Sequence, residues 1–168
     1  VELLREMVGQ RTSAGRPENT VRLVESLAAR LVRGGFPERD IEVVRVGPIA
    51  NLVARYRGDG SQRPVLAMAH LDVVDAEPAD WSSNPFDLTE VDGHYQGRGV
   101  LDNKAGAAAL VANLIRLRRE GYRPARDLIV VLTGDEETGM TGIAHLVRER
   151  RELIDAEFAL NTDVGGIQ

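Results

Sequence analysis

Three short, mostly apolar runs constrain the fold of this chain more than any other feature of its sequence. They are Pro64–Ala69, Leu128–Thr133 and Glu157–Asn161, each about as long as one β-strand. Side chains alternate between the two faces of a sheet, so a strand of continuous apolar residues must be covered on both faces. Helical patterns separate the runs along the chain. The sequence therefore predicts buried, parallel strands joined by helices.

The rest of the chain supplies helices and a few alternating strands. Residues 41–46 and 51–57 alternate between apolar and polar side chains, as half-buried strands do. Asp92-Gly93 separates Phe86–Val91 from His94–Gln96 and predicts a hairpin turn. We therefore predict an α/β fold, a three-layer α/β/α sandwich with a mixed, largely parallel central sheet. The segments with helical spacing are Val1–Gly9, Asn19–Arg33, Asn103–Glu120 and Gly139–Arg151.

Composition excludes several classes of function. The 168 residues suffice for one domain with a sizeable core, and the net charge of −5 argues against nucleic-acid or anionic-membrane partners. Cysteine is absent, which excludes disulfides, thiolate zinc sites and thiol nucleophiles. No apolar run approaches the roughly 20 residues of a membrane span. Of the 21 basic residues only Lys104 is a lysine, either by chance or because that position needs a compact ammonium group.

Acidic residues follow each of the three predicted buried strands, and a histidine, His70, also follows the first of them. Because the carboxyl ends of parallel strands meet at one edge of a sheet, these side chains are expected to converge. Two carboxylates about 4 Å apart repel by roughly 4 kcal/mol at an effective dielectric near 20, so the cluster needs protonation or divalent cations. Imidazole and carboxylate ligands without sulfur suit zinc, cobalt or manganese. The residues of this edge are His70, Asp72, Asp102, Asp135, Glu136, Glu137 and Asp163.

Each of these residues also has a common structural explanation. A lone histidine at a strand end, such as His70, is most often simply hydrogen-bonded. Asp102 is placed to cap the long helix, and residues 135–137 to interact with the dipole of the next helix. Asp163 precedes Gly165-Gly166, where an aspartate commonly makes a turn. Only the convergence of all of them favours a metal site over these separate roles.

The candidate ligands at this edge exceed what one metal ion needs. Two ions about 3.5–4 Å apart, sharing a carboxylate and a water, would use the surplus. His70 and Asp72 lie two residues apart on an extended segment, so Asp72 can orient the imidazole while one ring nitrogen binds metal. Glu136 and Glu137 point in different directions. One of them can therefore bind metal while the other acts as a base.

Four motifs resemble, in order and in spacing, those of a family of co-catalytic zinc metallopeptidases. The family includes carboxypeptidase G, aminoacylase, acetylornithine deacetylase, succinyl-diaminopimelate desuccinylase and several dipeptidases. The resemblance implies a catalytic domain that binds two divalent ions, zinc ahead of cobalt or manganese, and hydrolyses amide bonds. The motifs are HLDVV (His70–Val74), GRGVLDNKAG (Gly97–Gly106), GDEETG (Gly134–Gly139) and LNTDVGG (Leu160–Gly166), and WSSNPF (Trp81–Phe86) is also similar to the family.

The resemblance implies a substrate class and a role for each candidate residue. The substrate is a dipeptide, an N-acyl amino acid or a similar amide with a free carboxylate, so carboxypeptidase, dipeptidase and deacylase activities are the expected ones. Family members commonly have a cis peptide after the bridging aspartate, here between Asp102 and Asn103. The implied roles are His70 and Asp163 on one metal, Asp102 as the bridge, Glu137 on the second metal, Glu136 as the general base and Asp72 as the residue that steadies His70.

The chain departs from the family pattern at one ligand. In the family, a histidine from a C-terminal part of the catalytic domain also binds the second metal, and neither His94 nor His145 lies in a matching motif. A lid or dimerisation domain follows the segment that Leu160–Gly166 resembles. We therefore expect residues 1–168 to be the N-terminal part of a metallopeptidase catalytic domain, without that lid and C-terminal segment. Alone it is expected to be weakly active or inactive, and a full-length form to dimerise through the lid.

Two other functions compete with this interpretation. A non-catalytic metal-binding or interaction module could retain the same fold, although Glu136 and every implied N-terminal ligand are present. A nucleotide-binding domain is disfavoured, because Asp102 lies where the dinucleotide fingerprint needs its third glycine. The expected partner is a small peptide or N-acyl amino acid, and neither nucleic acid nor a membrane. A cytoplasmic location is expected, with a secreted or periplasmic one left open because the chain starts at Val1.

Overall fold

The computed structural model describes residues 1–163 and places a five-stranded sheet between two layers of helices. Two further strands form a hairpin of their own. In chain order, the helices and strands of the described residues are α1 (Glu2–Gly9), α2 (Glu18–Arg33), β1 (Ile41–Val46), β2 (Ile49–Tyr56), β3 (Val65–His70), β4 (Thr89–Val91), β5 (His94–Gln96), α3 (Ala105–Arg119), β6 (Leu128–Thr133), α4 (Thr141–Glu149), α5 (Arg151–Ile154) and β7 (Phe158–Asn161).

The central sheet has the strand order β1-β2-β6-β3-β7. Strand β3 is parallel to both β6 and β7, whereas β2 is antiparallel to β6 and β1 is antiparallel to β2. The separate hairpin β4-β5 turns at Asp92 and Gly93, which both have positive φ, as the Asp-Gly pair predicts. The predicted α/β class with a mixed sheet is confirmed. Its parallel part consists of the three strands that precede the candidate site residues.

Two hydrophobic clusters, one on each face of the sheet, hold the three layers together. Along β2, Leu52 and Ala54 belong to one cluster and Val53 to the other, because neighbouring side chains on a strand point to opposite faces. Helices α1, α2 and α3 cover the first face, and α4 and α5 cover the second. The predicted three-layer arrangement is confirmed. None of the helices within residues 1–163 has both the length and the hydropathy needed to span a membrane.

Strand β7 differs from its prediction. The apolar run predicts a strand covered on both faces, but all four residues of β7 are exposed. Phe158 and Leu160 have relative exposures of 49% and 58%. Within residues 1–163, β7 pairs only with β3 and lies at the edge of the sheet. The prediction of burial is therefore wrong for the described residues, although the strand itself and its parallel direction are confirmed.

The start of α3 is irregular. Residues 100–104 form a distorted helical turn in which Asp102 and Asn103 have non-helical backbone angles, and the peptide between them is cis, as the resemblance implies. The regular helix begins at Ala105. A Cβ added to Gly106 would collide with Asn103 Oδ1 and would lie 2.5 Å from Thr162 Oγ1. Glycine is therefore required where α3 approaches the segment that follows β7.

Candidate metal centre

The three parallel strands bring the predicted site residues to one edge of the sheet. His70 is the last residue of β3, and Asp72 follows it two residues later. The acidic residues 135–137 follow β6, and Asp163 follows β7. Asp102 reaches the same edge from the irregular turn before α3. The predicted convergence at the carboxyl ends of the strands is thus what the structure shows. Of the motif Leu160–Gly166, the last three residues lie outside the described part of the chain.

His70, Asp102 and Asp163 form a cluster with the chemistry of a metal site. One ligand atom from each lies within 4.8 Å of the other two. His70 Nε2 is 2.7 Å from Asp102 Oδ1 and 3.8 Å from Asp163 Oδ1. His70 is buried, whereas the Asp102 side chain is 55% exposed. One imidazole nitrogen and two carboxylate oxygens, open to solvent on one side, suit a divalent cation such as zinc.

The hydrogen bonds of His70 support this fit. Its Nδ1 lies 3.0 Å from the main-chain oxygen of Asp72, which can only accept, so Nδ1 donates there. Nε2 is therefore the ring nitrogen directed at the two carboxylates. Burial lowers the pKa of His70, but hydrogen bonds to Asp72 and Asp102 outweigh it and raise the pKa to about 9. In the metal-free chain a proton on Nε2 supplies the positive charge that a cation would otherwise provide.

The carboxyl group of Glu137 shows the crowding of negative charge at this edge. Burial and the neighbouring carboxylate of Asp102 both raise the pKa of Glu137, and His70 acts in the opposite direction. The shift has the sign expected for an acid that shares a site with other acids. Glu137 does not belong to the three-residue cluster found within residues 1–163. It is close enough to Asp102, however, for the two charges to interact.

Asp72 connects the end of β3 to the turn that follows β6. Its Oδ1 accepts a hydrogen bond from the main-chain N–H of Glu136, and its Oδ2 accepts one from the N–H of Glu137, both at 2.9 Å. Asp72 is 3% exposed, so these bonds are shielded from water. Its carboxylate is 3.5 Å from His70 Nδ1, farther than its own main-chain oxygen. The carboxylate thus chiefly fixes the turn that carries both glutamates, a role that the sequence did not indicate.

The capping alternatives have different outcomes for Asp102 and Asp135. The Asp135 carboxylate accepts hydrogen bonds from the N–H groups of Thr141, at 2.6 Å, and Gly142, at 3.0 Å, and from the Thr141 hydroxyl. It therefore caps the first turn of α4, as predicted. At the start of α3 the N-cap position belongs to Lys104, and the Asp102 carboxylate contacts His70 Nε2 instead, so the capping explanation of Asp102 is wrong.

The two remaining histidines lie away from this cluster. His94 is on β5 and its Nδ1 contacts the main-chain oxygen of Asp92 at 2.9 Å. His145 is on α4. Among residues 1–163, neither histidine joins the group of potential metal ligands.

A cavity of about 190 Å³ borders Glu136. Its apolar walls come from Met68, Met140 and Ile143, and its polar ones include Thr133 and Asn161. Glu136 is half-buried and lines this cavity. The cavity is large enough for a small acyl group or a short side chain next to that carboxylate.

The N-terminal segment contributes to the site in a way that sequence reasoning missed. Thr12 Oγ1 donates to the main-chain oxygen of Leu71 at 2.6 Å, and the N–H of Val73 donates to the Thr12 oxygen at 3.1 Å. Lys104 is fully buried beside Asp102. Burial lowers the pKa of Lys104 to about 7, while the charge of Asp72 acts to raise it. The one signal in the sequence was that Lys104 is the only lysine.

Comparison with known proteins gives a consistent assignment. The model of peptidase family M20/M25/M40 matches residues 66–167. Succinyl-diaminopimelate desuccinylase of Delftia acidovorans is 40% identical over 142 residues, which cover 79% of this chain and 36% of that protein. The chain thus spans about a third of the length of such relatives.

Solved structures show the same fold. Human carnosine dipeptidase 1 superimposes with a TM-score of 0.85 at 24% identity, covering 97% of this chain and 38% of that one. The M20 family metallo-carboxypeptidase Sso-CP2 of Sulfolobus solfataricus superimposes with a TM-score of 0.82 at 18% identity, covering 96% of this chain and 36% of that one.

Proposed function

Because this chain belongs to peptidase family M20/M25/M40, whose members are metal-dependent hydrolases of amide bonds, we propose that it provides the catalytic metal centre of a zinc-dependent peptidase or deacylase. The substrate is a dipeptide, an N-acyl amino acid or a similar amide with a free carboxylate. One observation carries the proposal: the ligand atoms of His70, Asp102 and Asp163 converge within 4.8 Å, next to two glutamates on the turn that Asp72 fixes.

The proposed ligands divide between two divalent ions. His70 and Asp163 would hold the first ion, Glu137 would hold the second, and Asp102 would contribute to both. Bound ions of this kind supply a Lewis acid for the amide carbonyl and lower the pKa of a water at the site. Burial and repulsion from Asp102 raise the pKa of Glu137, and a cation would relieve the repulsion, which supports the place of Glu137 in this set.

Glu136 is the proposed proton carrier. Its carboxylate accepts a proton from the attacking water while the water oxygen bonds to the amide carbon. The same proton then passes to the leaving nitrogen as the C–N bond breaks, so that an acid and an amine are released. Asp72 holds the main chain of Glu136 in place, and the adjacent cavity gives room for the substrate group beside the carboxylate.

A Glu136→Gln substitution tests this role. In the intact gene product, the variant is expected to lose about 10²–10⁴-fold in kcat on N-acyl amino acids and dipeptides, because the amide cannot accept the proton. Its affinity for Zn²⁺ is expected to stay within a few-fold of the wild type. Glu149→Gln, on the exposed end of α4, is the matched control and should change neither quantity.

The second candidate function is a metal-binding or interaction module without catalysis. It is favoured if the wild-type protein binds Zn²⁺ but hydrolyses none of the substrate panel, with Co²⁺ and Mn²⁺ also tried. Hydrolysis that survives Glu136→Gln unchanged would instead remove Glu136 as the base while leaving the amide hydrolase assignment in place.

A further inference from the structure

Lys104 is buried in a setting that makes its charge costly. Its side chain has no exposed surface, and an ammonium group that leaves water needs hydrogen-bond acceptors to compensate. Nζ donates to the main-chain oxygens of Met7, at 2.9 Å, and of Gln10, at 2.6 Å. Met7 lies in the last turn of α1 and Gln10 is its C-cap, where the negative end of the helix dipole favours a cation. Lys104 therefore ties the start of α3 to the end of α1.

The side chain of Lys104 runs beneath the turn that carries Asp102. The Lys104 N–H donates to the main-chain oxygen of Gly99 at 2.8 Å, which closes the turn. A Cβ added to Gly99 would lie 3.1 Å from Lys104 Cδ and 2.8 Å from Val73 Cγ1. The Lys104 stem thus fills the buried side of the turn, whereas the Asp102 side chain is exposed on its other side.

The same N-terminal segment also contacts the turn that follows His70. Thr12, two residues after Gln10, accepts a hydrogen bond from the N–H of Val73 and donates one to the oxygen of Leu71. Residues 7–12 therefore contact both ligand-bearing segments, one through Thr12 and the other through Lys104. These two segments carry His70 and Asp102, whose Nε2 and Oδ1 atoms lie 2.7 Å apart.

We propose that Lys104 is a positioning residue of the metal centre, which holds Asp102 in register with His70 by anchoring the Gly99–Lys104 turn to the end of α1. The inference rests on the proposed metal site. It assigns Lys104 no contact with metal or substrate. Lysine suits the position because a compact ammonium with three donors can bond two carbonyls in a closed space, whereas the planar, larger guanidinium of arginine cannot do so without displacing them.

The absence of cysteine from the chain permits a chemical test. Lys104→Cys, alkylated in the unfolded chain with 2-bromoethylamine and refolded, carries a thioether analogue of lysine with the ammonium restored. Alkylation with iodoacetamide instead gives a neutral side chain at the same position. Zn²⁺ and Co²⁺ titrations, the Co²⁺ absorption spectrum and the Tm without metal are compared with those of the wild-type chain.

The aminoethylated protein is expected to bind metal within about threefold of the wild type, and the neutral adduct about 10–100-fold more weakly, the usual effect of losing support behind a ligand. Leu31→Ala, a core substitution in α2, is the control, because it should lower Tm without changing the metal dissociation constant. The neutral adduct could instead behave like Leu31→Ala, with a lower Tm but an unchanged metal affinity and Co²⁺ spectrum. That result would show that Lys104 is only a core residue.

A second variant covers the case in which no Lys104 derivative refolds. Thr12→Val removes the hydroxyl bond to Leu71 at similar side-chain volume, and is expected to weaken metal binding several-fold through the other half of the same support. Unchanged metal affinity in Thr12→Val would then overturn the inference. If the wild-type chain binds no divalent ion, both the proposed function and this inference are wrong. If the wild-type chain binds metal and the neutral adduct binds it equally well, only this inference is wrong.

Discussion

The two halves of the metal centre differ in what holds them. The inner half, His70 and Asp72, lies at the end of the interior strand β3, and both residues are no more than 3% exposed. Apart from the contact of His70 Nε2 with Asp102, their hydrogen bonds run to main-chain groups. The outer half, Asp102 and Asp163, lies on turns, with side chains 55% and 27% exposed. The inner half is therefore formed by folding itself, and the outer half adds charges that a cation would hold together.

The largest effect is expected from damage to the inner half. Asp72→Ala removes the acceptor of two buried N–H groups and should lower the free energy of unfolding by about 3–5 kcal/mol, because both donors are left without a partner. Urea unfolding of the metal-free chain measures it. A loss below about 1 kcal/mol would mean that the turn at Glu136 and Glu137 does not depend on Asp72, and that the two halves are alike.

Metal binding should act mainly on the outer half. Zn²⁺ at 100 times its dissociation constant is expected to stabilise the wild-type chain by about 2.7 kcal/mol through mass action. Asp163→Asn removes one ligand and should abolish most of this gain, while the metal-free stability changes by no more than about 0.5 kcal/mol. Thermal unfolding with and without Zn²⁺ gives both numbers. Equal stabilisation of wild type and variant would exclude Asp163 as a ligand.

The smallest effect is expected at an acidic residue outside the site. The Glu6 carboxylate accepts a hydrogen bond from Ser26 and is paired with Arg30, and these contacts, led by the one from Ser26, lower its pKa below the usual 4.5. A lowered pKa stabilises the fold above pH 4.5, and this stabilisation is lost as the pH falls through the lowered value. Glu6→Gln should therefore cost about 0.2–1 kcal/mol at pH 7 and less at pH 3.

Unfolding titrations of Glu6→Gln at pH 7 and at pH 3 test whether the stability cost is smaller at the lower pH. A cost that grows toward pH 3 would contradict the sign of the shift. Glu6 thereby serves as the reference for Glu137, whose pKa is raised by burial and by the neighbouring acids at the sheet edge.

Much of the site could be predicted because it depends on local patterns. Runs such as Leu128–Thr133 define strands by their length and composition, and parallel strands end at a common edge whatever their order. The convergence of His70 and Asp163 follows from that rule, whereas Asp102 reaches the same edge from the turn before α3. The cap that Asp135 provides for α4 is equally local, since it depends on a spacing of six residues.

The incorrect predictions concern neighbours in space. The exposure of β7 is set by which strands flank it, and an apolar run such as Phe158–Asn161 does not encode that order. Likewise, whether Asp102 caps a helix or faces His70 depends on the conformation of the turn at residues 100–104. Local spacing favours the cap, and packing against α1 and β3 decides otherwise.

The sequence by itself determined the class of fold, the edge at which the acids collect and the family to which the chain belongs. Each of these depends on residue types at fixed spacings along the chain. Only the tertiary structure decided that Asp72 binds the backbone of both glutamates and that Lys104 and Thr12 join residues 7–12 to the two ligand-bearing turns. These contacts join residues about 60 to 100 positions apart, and a hydrogen bond between such distant residues exists only once the strands and helices have packed.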